Sequence, residues 1–76
     1  MVIRVANNYY KVTRSEARKL LQVASDLVPN GIYAVEKKDK GYMELVNLPM
    51  SPEGIKKTVK EYGQQGWKVY ANVKRV

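Results

Sequence analysis

Apolar residues recur at helical spacing in two stretches of the chain, and each stretch follows a residue that can cap a helix. Thr13 and Glu16 have the spacing of a capping box, in which each side chain bonds the other residue's backbone N–H. Ser51 is followed by Pro52, which is favoured at the first helical position because its missing N–H is harmless there. The sequence therefore predicts two helices, each with one apolar stripe. The first stripe consists of Ala17, Leu20, Leu21, Ala24 and Leu27.

Residues that favour strands fill most of the remaining chain, in runs at 2–12, 32–37, 42–48 and 67–76. In the first run, Asn7 and Asn8 predict a two-residue hairpin turn, because asparagine tolerates the positive φ that such turns demand. The alternative there is a single bent strand with the asparagines in a bulge.

Alternation along the strands predicts which side chains are buried. For the middle hairpin we favour a core face made of Tyr33, Val35, Met43 and Leu45. Between the helices and the sheet we expect to find Trp67 and either Leu20 or Leu21 buried. The outer face of the last strand then consists of Lys68, Tyr70, Asn72 and Lys74.

This order of elements predicts a single small α+β domain over residues 1–76. Because each helix has one apolar stripe, both helices are expected to cover the same face of an antiparallel sheet of four to five strands, in a two-layer sandwich. The ferredoxin-like βαββαβ order is the favoured topology, and an extra strand from an N-terminal hairpin is its main variant. The favoured order allows the first and last strands to be neighbours.

The composition restricts the chemistry. The chain has no cysteine and no histidine, which removes the thiolate nucleophile, the usual general base and two common zinc ligands. The remaining polar residues show no motif spacing, so we expect no enzyme, no catalytic or metal site and no cofactor. No apolar run is long enough for a signal peptide or a membrane span, and we expect an intracellular, cytoplasmic protein with no membrane partner.

Fourteen Lys and Arg residues against seven Asp and Glu give a net charge of +7, which attracts polyanions. On a sheet face, cations can neutralise phosphates while tyrosines stack on bases. We therefore expect a nucleic-acid partner, DNA or RNA. The predicted interface consists of Arg4, Tyr9, Lys11, Lys68, Tyr70 and Lys74. Two secondary basic patches consist of Lys37, Lys38 and Lys40 in a loop and of Lys56, Lys57 and Lys60 on the second helix.

The βαββαβ order is also that of the RNA-recognition motif, whose third strand stacks bases on exposed aromatic residues. Lys40, Gly41 and Tyr42 match the first three positions of that strand's signature, whereas Glu44 and Asn47 stand at the stacking positions. The similarity is therefore one of element order, and it assigns no family.

Six tyrosines and no phenylalanine also suit a protein interface, because tyrosine combines apolar area with a polar tip. The alternative function is a small modulator or inhibitor, of the kind that phages and mobile elements encode, which docks on a larger protein. A homodimer is a further alternative. Lysine and tyrosine on an outward sheet face also serve solubility alone.

Overall fold

The computed structural model describes residues 1–73, which form a small α+β domain with five strands and two α-helices. The elements are β1 (Val2–Val5), β2 (Asn8–Lys11), α1 (Arg14–Leu27), β3 (Gly31–Lys37), a 3-10 turn (Lys38–Lys40), β4 (Tyr42–Pro49), α2 (Pro52–Gln64) and β5 (Lys68–Asn72). Neither helix has the length and apolar character needed to cross a membrane.

Both helices begin at the predicted caps. Thr13 Oγ1 accepts the N–H of Glu16 at 3.1 Å, and Glu16 Oε1 accepts the N–H of Thr13 at 2.9 Å. Ser51 Oγ accepts the N–H of Gly54 at 3.3 Å. These bonds satisfy donors that have no partner within the first turn of a helix, so local sequence alone fixes where α1 and α2 start.

The N-terminal run forms the predicted hairpin, with its turn one residue earlier than expected. Val5 pairs with Asn8 and Arg4 pairs with Tyr9, which leaves Ala6 and Asn7 in the turn. Ala6 adopts a φ of 55°, a conformation that favours glycine. A turn at Asn7 and Asn8 would have paired Arg4 with Lys11, two residues beyond its actual partner Tyr9. A shift of two residues keeps each side chain on the same face, so Arg4, Tyr9 and Lys11 still lie on one side.

The sheet has the order β2-β1-β4-β3-β5 and is mixed, so the expectation of an antiparallel sheet was wrong. β1 is parallel to β4, while the other three neighbouring pairs are antiparallel. The N-terminal hairpin is the reason, because it reverses the chain so that β2 rather than β1 leads into α1. The ferredoxin-like order is not confirmed, since β5 pairs with β3 and lies at the edge opposite β2.

The helices lie on opposite faces of the sheet, so the predicted two-layer arrangement with both helices on one face was wrong. Met43 of β4 clusters with Ala17 of α1. Its neighbour Glu44 lines a cleft together with Tyr62 of α2. Successive residues of a strand point to opposite faces, so α1 and α2 must cover different sides.

Chain direction explains this arrangement. The connections β2–α1–β3 and β4–α2–β5 each join two parallel strands, and both step across the sheet towards the β5 edge. The strands of the first connection run opposite to those of the second. Since such crossovers are right-handed, a reversed strand direction places the second helix on the reverse face.

The buried core is consequently divided between two faces. Val35 pairs with Glu44, which puts Val35 and Met43 on opposite sides rather than on one predicted core face. Both are buried all the same, because α1 covers the side of Met43 and α2 covers the side of Val35. The largest fully buried side chains are Ile3, Ile32 and Met43.

Three side chains expected in the core are only half-buried, and these are Leu20, Leu21 and Trp67. Leu27, the last member of the predicted stripe of α1, is 70% exposed. A helix that packs alone on its face of a narrow sheet leaves the sides of its apolar stripe uncovered.

Candidate nucleic-acid interface

Part of one sheet face is left without a helix. α2 packs mainly on β5 and β3, and α1 lies on the other side of the sheet. The strands β2, β1 and β4 therefore present an uncovered surface on the α2 side, which we call the open face. The side chains on it or at its border that can serve a ligand are Arg4, Tyr9, Lys11, Lys37, Tyr42 and Trp67.

Strand pairing arranges these side chains in two rows across the sheet, because paired residues point to the same side. The first row consists of Tyr9, Arg4 and Glu44. The second row consists of Lys11, Val2, Tyr42 and Lys37. With strands about 4.8 Å apart, the second row extends about 14 Å from one lysine to the other. Cations thus stand at both ends of a row that has an aromatic ring within it.

An ion pair occupies the middle of the open face. Arg4 Nη2 lies 2.8 Å from Glu44 Oε2, and the Tyr42 hydroxyl donates to Glu44 Oε1 at 2.7 Å. Partial burial alone would raise the pKa of Glu44, but these two hydrogen bonds outweigh it and hold that pKa below its ordinary value. Arg4 is therefore neutralised by Glu44 and does not act as a free cation.

Aromatic rings border the open face on the side of α2. The ring centroid of Trp67 lies 6.2 Å from that of Tyr42, edge to face, and 6.4 Å from that of Tyr62. Lys37 Nζ lies 5.3 Å from the Trp67 ring centroid, within cation–π range. Packing on three sides holds the indole in place while leaving it half-exposed.

The rings of Tyr9 and Tyr42 differ in exposure and in hydrogen bonding. Tyr9 is 65% exposed on the edge strand β2 and is free to meet a planar ligand. Tyr42 is half-buried, and its hydroxyl bond to Glu44 fixes its orientation. Burial, and next the bond to Glu44, raise the pKa of Tyr42, which keeps the phenol neutral at physiological pH.

The six residues predicted as the main interface do not come together. Arg4, Tyr9 and Lys11 share the open face. Lys68 and Tyr70 lie on β5 at the other end of the sheet and, by their pairing with Glu36 and Ala34 of β3, on the α1 side. Lys74 lies outside the described residues. The prediction was wrong on this point because it assumed that the first and last strands are neighbours.

Tyr70 is also not an open stacking platform. Its hydroxyl donates to Glu36 Oε1 at 2.6 Å, and its ring centroid lies 4.8 Å from Lys68 Nζ and 6.1 Å from the ring centroid of Tyr33. Burial, followed by the bond to Glu36, raises the pKa of Tyr70 to about 12. The ring packs against the α1 side of the core.

The secondary basic patches divide in the same way. Lys37 belongs to the open face, whereas Lys38 and Lys40 lie on the exposed 3-10 turn next to it. The second patch is exposed on α2 and consists of Lys56, Lys57 and Lys60. The first patch therefore contributes Lys37 to the candidate interface.

Sequence reasoning missed Tyr42 and Trp67 as candidate contact residues. The match of Lys40-Gly41-Tyr42 to a base-stacking signature was a signal for the first. Trp67 was assigned to the core by strand alternation, although β5 begins one residue later. The contact of Trp67 with Tyr42 joins residues that are 25 positions apart in sequence, so a local pattern does not predict it.

No family model matches the chain, and searches of the curated proteins and of the solved structures found no match either. Within residues 1–73, no group of three or more acidic side chains is placed to hold a metal ion. The function must therefore be argued from the geometry of the open face.

Proposed function

We propose that this protein is a non-enzymatic nucleic-acid-binding protein that binds a single strand across the open face. The observation that carries the proposal is the series of rings Tyr9, Tyr42 and Trp67 along the uncovered strands, with Lys11 and Lys37 beside them. Aromatic rings stack on bases of any sequence, and lysines neutralise the phosphates between them. Bases paired in a duplex cannot reach such rings, so a single strand is favoured.

The charges predict binding of modest strength. Arg4 is paired with Glu44, which leaves Lys11 and Lys37 as the cations of the open face available to phosphates. Two phosphate contacts give a shallow salt dependence, with a slope of about −1.4 in log affinity against log salt for a single strand. Stacking then supplies much of the binding free energy, at about 1 to 3 kcal/mol per base.

The experiment is a fluorescence anisotropy titration with a short single-stranded oligonucleotide at several salt concentrations. Tyr9→Ala should weaken binding by about 1 to 3 kcal/mol without changing the salt slope. Lys11→Ala should instead flatten the slope by about 0.7. Tyr10→Ala is the matched control, because Tyr10 is 50% exposed on the same strand but faces the other side.

The proposal fails if no binding is seen at low salt. It also fails if Tyr9→Ala and Tyr10→Ala weaken binding equally, since general electrostatics would then explain the affinity. Duplex binding as strong as single-strand binding would argue against base stacking on the open face.

A second candidate function is docking on a larger acidic protein. On the α1 side, an apolar groove of about 470 Å³ runs between α1 and the ends of β1 and β4. Val23 and Leu27 on its wall are 56% and 70% exposed. The net charge of +7 on the chain favours an acidic partner for this groove.

A variant separates the two functions. Leu27→Ser should abolish binding of a stoichiometric acidic partner and leave oligonucleotide binding unchanged, because Leu27 lies on the opposite side from the open face. Equal capture of that partner by the variant would exclude the groove as its docking site.

A further inference from the structure

A cleft on the α1 side, away from the open face, has a buried carboxylate in its lining. Glu36 is only 5% exposed and lies on β3 between Met43 and Lys68 of the neighbouring strands. The cleft has a volume of about 230 Å³. Tyr70 and Ala17 also line it, so its walls come from the sheet and from the first turns of α1.

The Glu36 carboxylate uses only part of its hydrogen-bonding capacity. Among the described residues, its hydrogen bond is the one that the Tyr70 hydroxyl donates to Oε1. An ionised carboxylate offers about four acceptor sites. No fully enclosed side-chain oxygen or nitrogen in residues 1–73 lacks a partner, so the second oxygen of Glu36 keeps some exposure, and Glu36 lines the cleft. It can accept a hydrogen bond from a bound molecule.

Four cations line the same cleft, and these are Arg14, Arg18, Lys38 and Lys68. Throughout the part of the chain that the structure describes, the sole ion pair is Arg4 with Glu44, on the other face. None of the cleft's cations therefore forms an ion pair with Glu36 or with another described carboxylate. With one negative and four positive groups, the lining has a net charge of +3.

We propose that this cleft is a binding site for a small phosphomonoester that carries hydroxyl groups, such as a sugar phosphate. The phosphate would contact the arginines and lysines at the rim, for which it is a suitable ligand. A hydroxyl of the same molecule would donate to the open oxygen of Glu36. The cleft volume of about 230 Å³ is smaller than that of sites for drug-sized ligands, which is roughly 300 to 1,000 Å³. The cleft therefore fits only a small molecule.

The proposal is independent of nucleic-acid binding, since the cleft and the open face lie on opposite sides of the sheet. The probes are ribose 5-phosphate and its two halves, ribose and inorganic phosphate. Titration of the isotopically labelled protein by nuclear magnetic resonance should shift the backbone signals of Ala17 and Glu36. Ribose 5-phosphate should bind at least about tenfold more tightly than inorganic phosphate, the factor expected for one added hydrogen bond to a charged group.

Two variants and a control sharpen the test. Glu36→Gln keeps an acceptor for Tyr70 but removes the charge, so it should lose the preference for ribose 5-phosphate and bind inorganic phosphate as well as or better than the parent. Arg18→Ala should weaken both phosphates alike. Lys19→Ala is the matched control, because Lys19 neighbours Arg18 on α1 but does not line the cleft.

Equal affinities of the parent protein for ribose 5-phosphate and inorganic phosphate would overturn the proposal, because charge alone would then account for binding. The absence of saturation by ribose 5-phosphate up to about 10 mM would also overturn it. If Glu36→Gln does not fold, the comparison of the two phosphates on the parent protein and on Arg18→Ala decides the question.

Discussion

Replacing Glu44 by glutamine should strengthen the proposed nucleic-acid binding, because Glu44 neutralises Arg4, the only arginine on the open face within residues 1–73. Arg4 Nη2 lies 2.8 Å from Glu44 Oε2. Glutamine has the same size and can still accept the hydrogen bond that the Tyr42 hydroxyl donates. The substitution therefore frees Arg4 for a phosphate and leaves the ring of Tyr42 in place.

The magnitude follows from the number of cations. With Lys11 and Lys37 as the contacts, affinity for a single strand should fall about sevenfold between 50 and 200 mM salt, at a slope of about 0.7 per contact. With Arg4 added, the slope becomes about −2.1 and the loss about eighteenfold. The lost ion pair is partly exposed, so the free energy of unfolding should fall by no more than about 1 kcal/mol.

The assay is the same anisotropy titration, repeated over a range of salt concentrations for the parent protein, Glu44→Gln and Glu61→Gln. The last is the matched control, since Glu61 is exposed on α2 and its replacement changes the net charge by the same amount. Only Glu44→Gln should steepen the slope by about 0.7. Equal slopes for the two variants would refute the role of Arg4, because net charge alone would then determine the salt dependence.

Three further predictions concern stability and are checked by chemical denaturation. Ile3→Ala should cost about 2 to 5 kcal/mol because Ile3 is fully buried, whereas Leu27→Ala, at a residue 70% exposed, should change the free energy of unfolding by less than about 0.5 kcal/mol. Ala6→Gly should stabilise the protein by about 1 kcal/mol, because the φ of 55° at Ala6 is strained for any residue with a Cβ atom; a loss of stability would contradict the hairpin turn. Folding raises the pKa of Tyr70 from 10.0 to about 12, so its contribution to stability is complete below pH 10 and is lost as pH rises towards 12. The stability difference between the parent and Tyr70→Phe should shrink over that range, and a constant difference would show that the hydroxyl bond to Glu36 is absent.

The starts of the helices and the hairpins could be predicted because short-range chemistry determines them. Thr13 and Ser51 cap helices through residues three positions away. Gly41 ends the Lys38–Lys40 turn in the left-handed conformation that glycine adopts readily. Such contacts depend on neighbouring residues alone. Alternation in β1 and β2 likewise sorted their faces correctly, even with the turn displaced by one residue.

The sheet order could not be predicted in the same way, because it depends on strands that are distant in sequence. The pairing of β1 with β4 joins residues about 40 positions apart, and no local pattern distinguishes it from a pairing of β1 with β5. In the observed order β5 lies at the edge opposite β2 and pairs with β3 rather than with β1. Two of the six predicted interface residues, Lys68 and Tyr70, consequently lie on the other face.

The composition of the open face was predictable only in part. Arg4, Tyr9 and Lys11 lie on one local hairpin, so alternation sufficed to group them. The neutralisation of Arg4 by Glu44 requires the parallel pairing of β1 and β4, which the sequence does not reveal. The strand that holds a residue is therefore enough to assign the residue to a surface. Its ion-pair partner can be identified only when the neighbouring strand is known.

The parallel pairing of β1 with β4 also determines when the N-terminal hairpin can join the sheet during synthesis. The N-terminal hairpin leaves the ribosome before β4, but a two-stranded hairpin alone is at best marginally stable. Its partner strand β4 is translated about 40 residues later, a delay of about 2 to 8 s at 5 to 20 residues per second. During that interval the core around Ile3 lacks Met43, its partner on β4. The cations Arg4 and Lys11 on the same hairpin discourage it from pairing with other nascent chains.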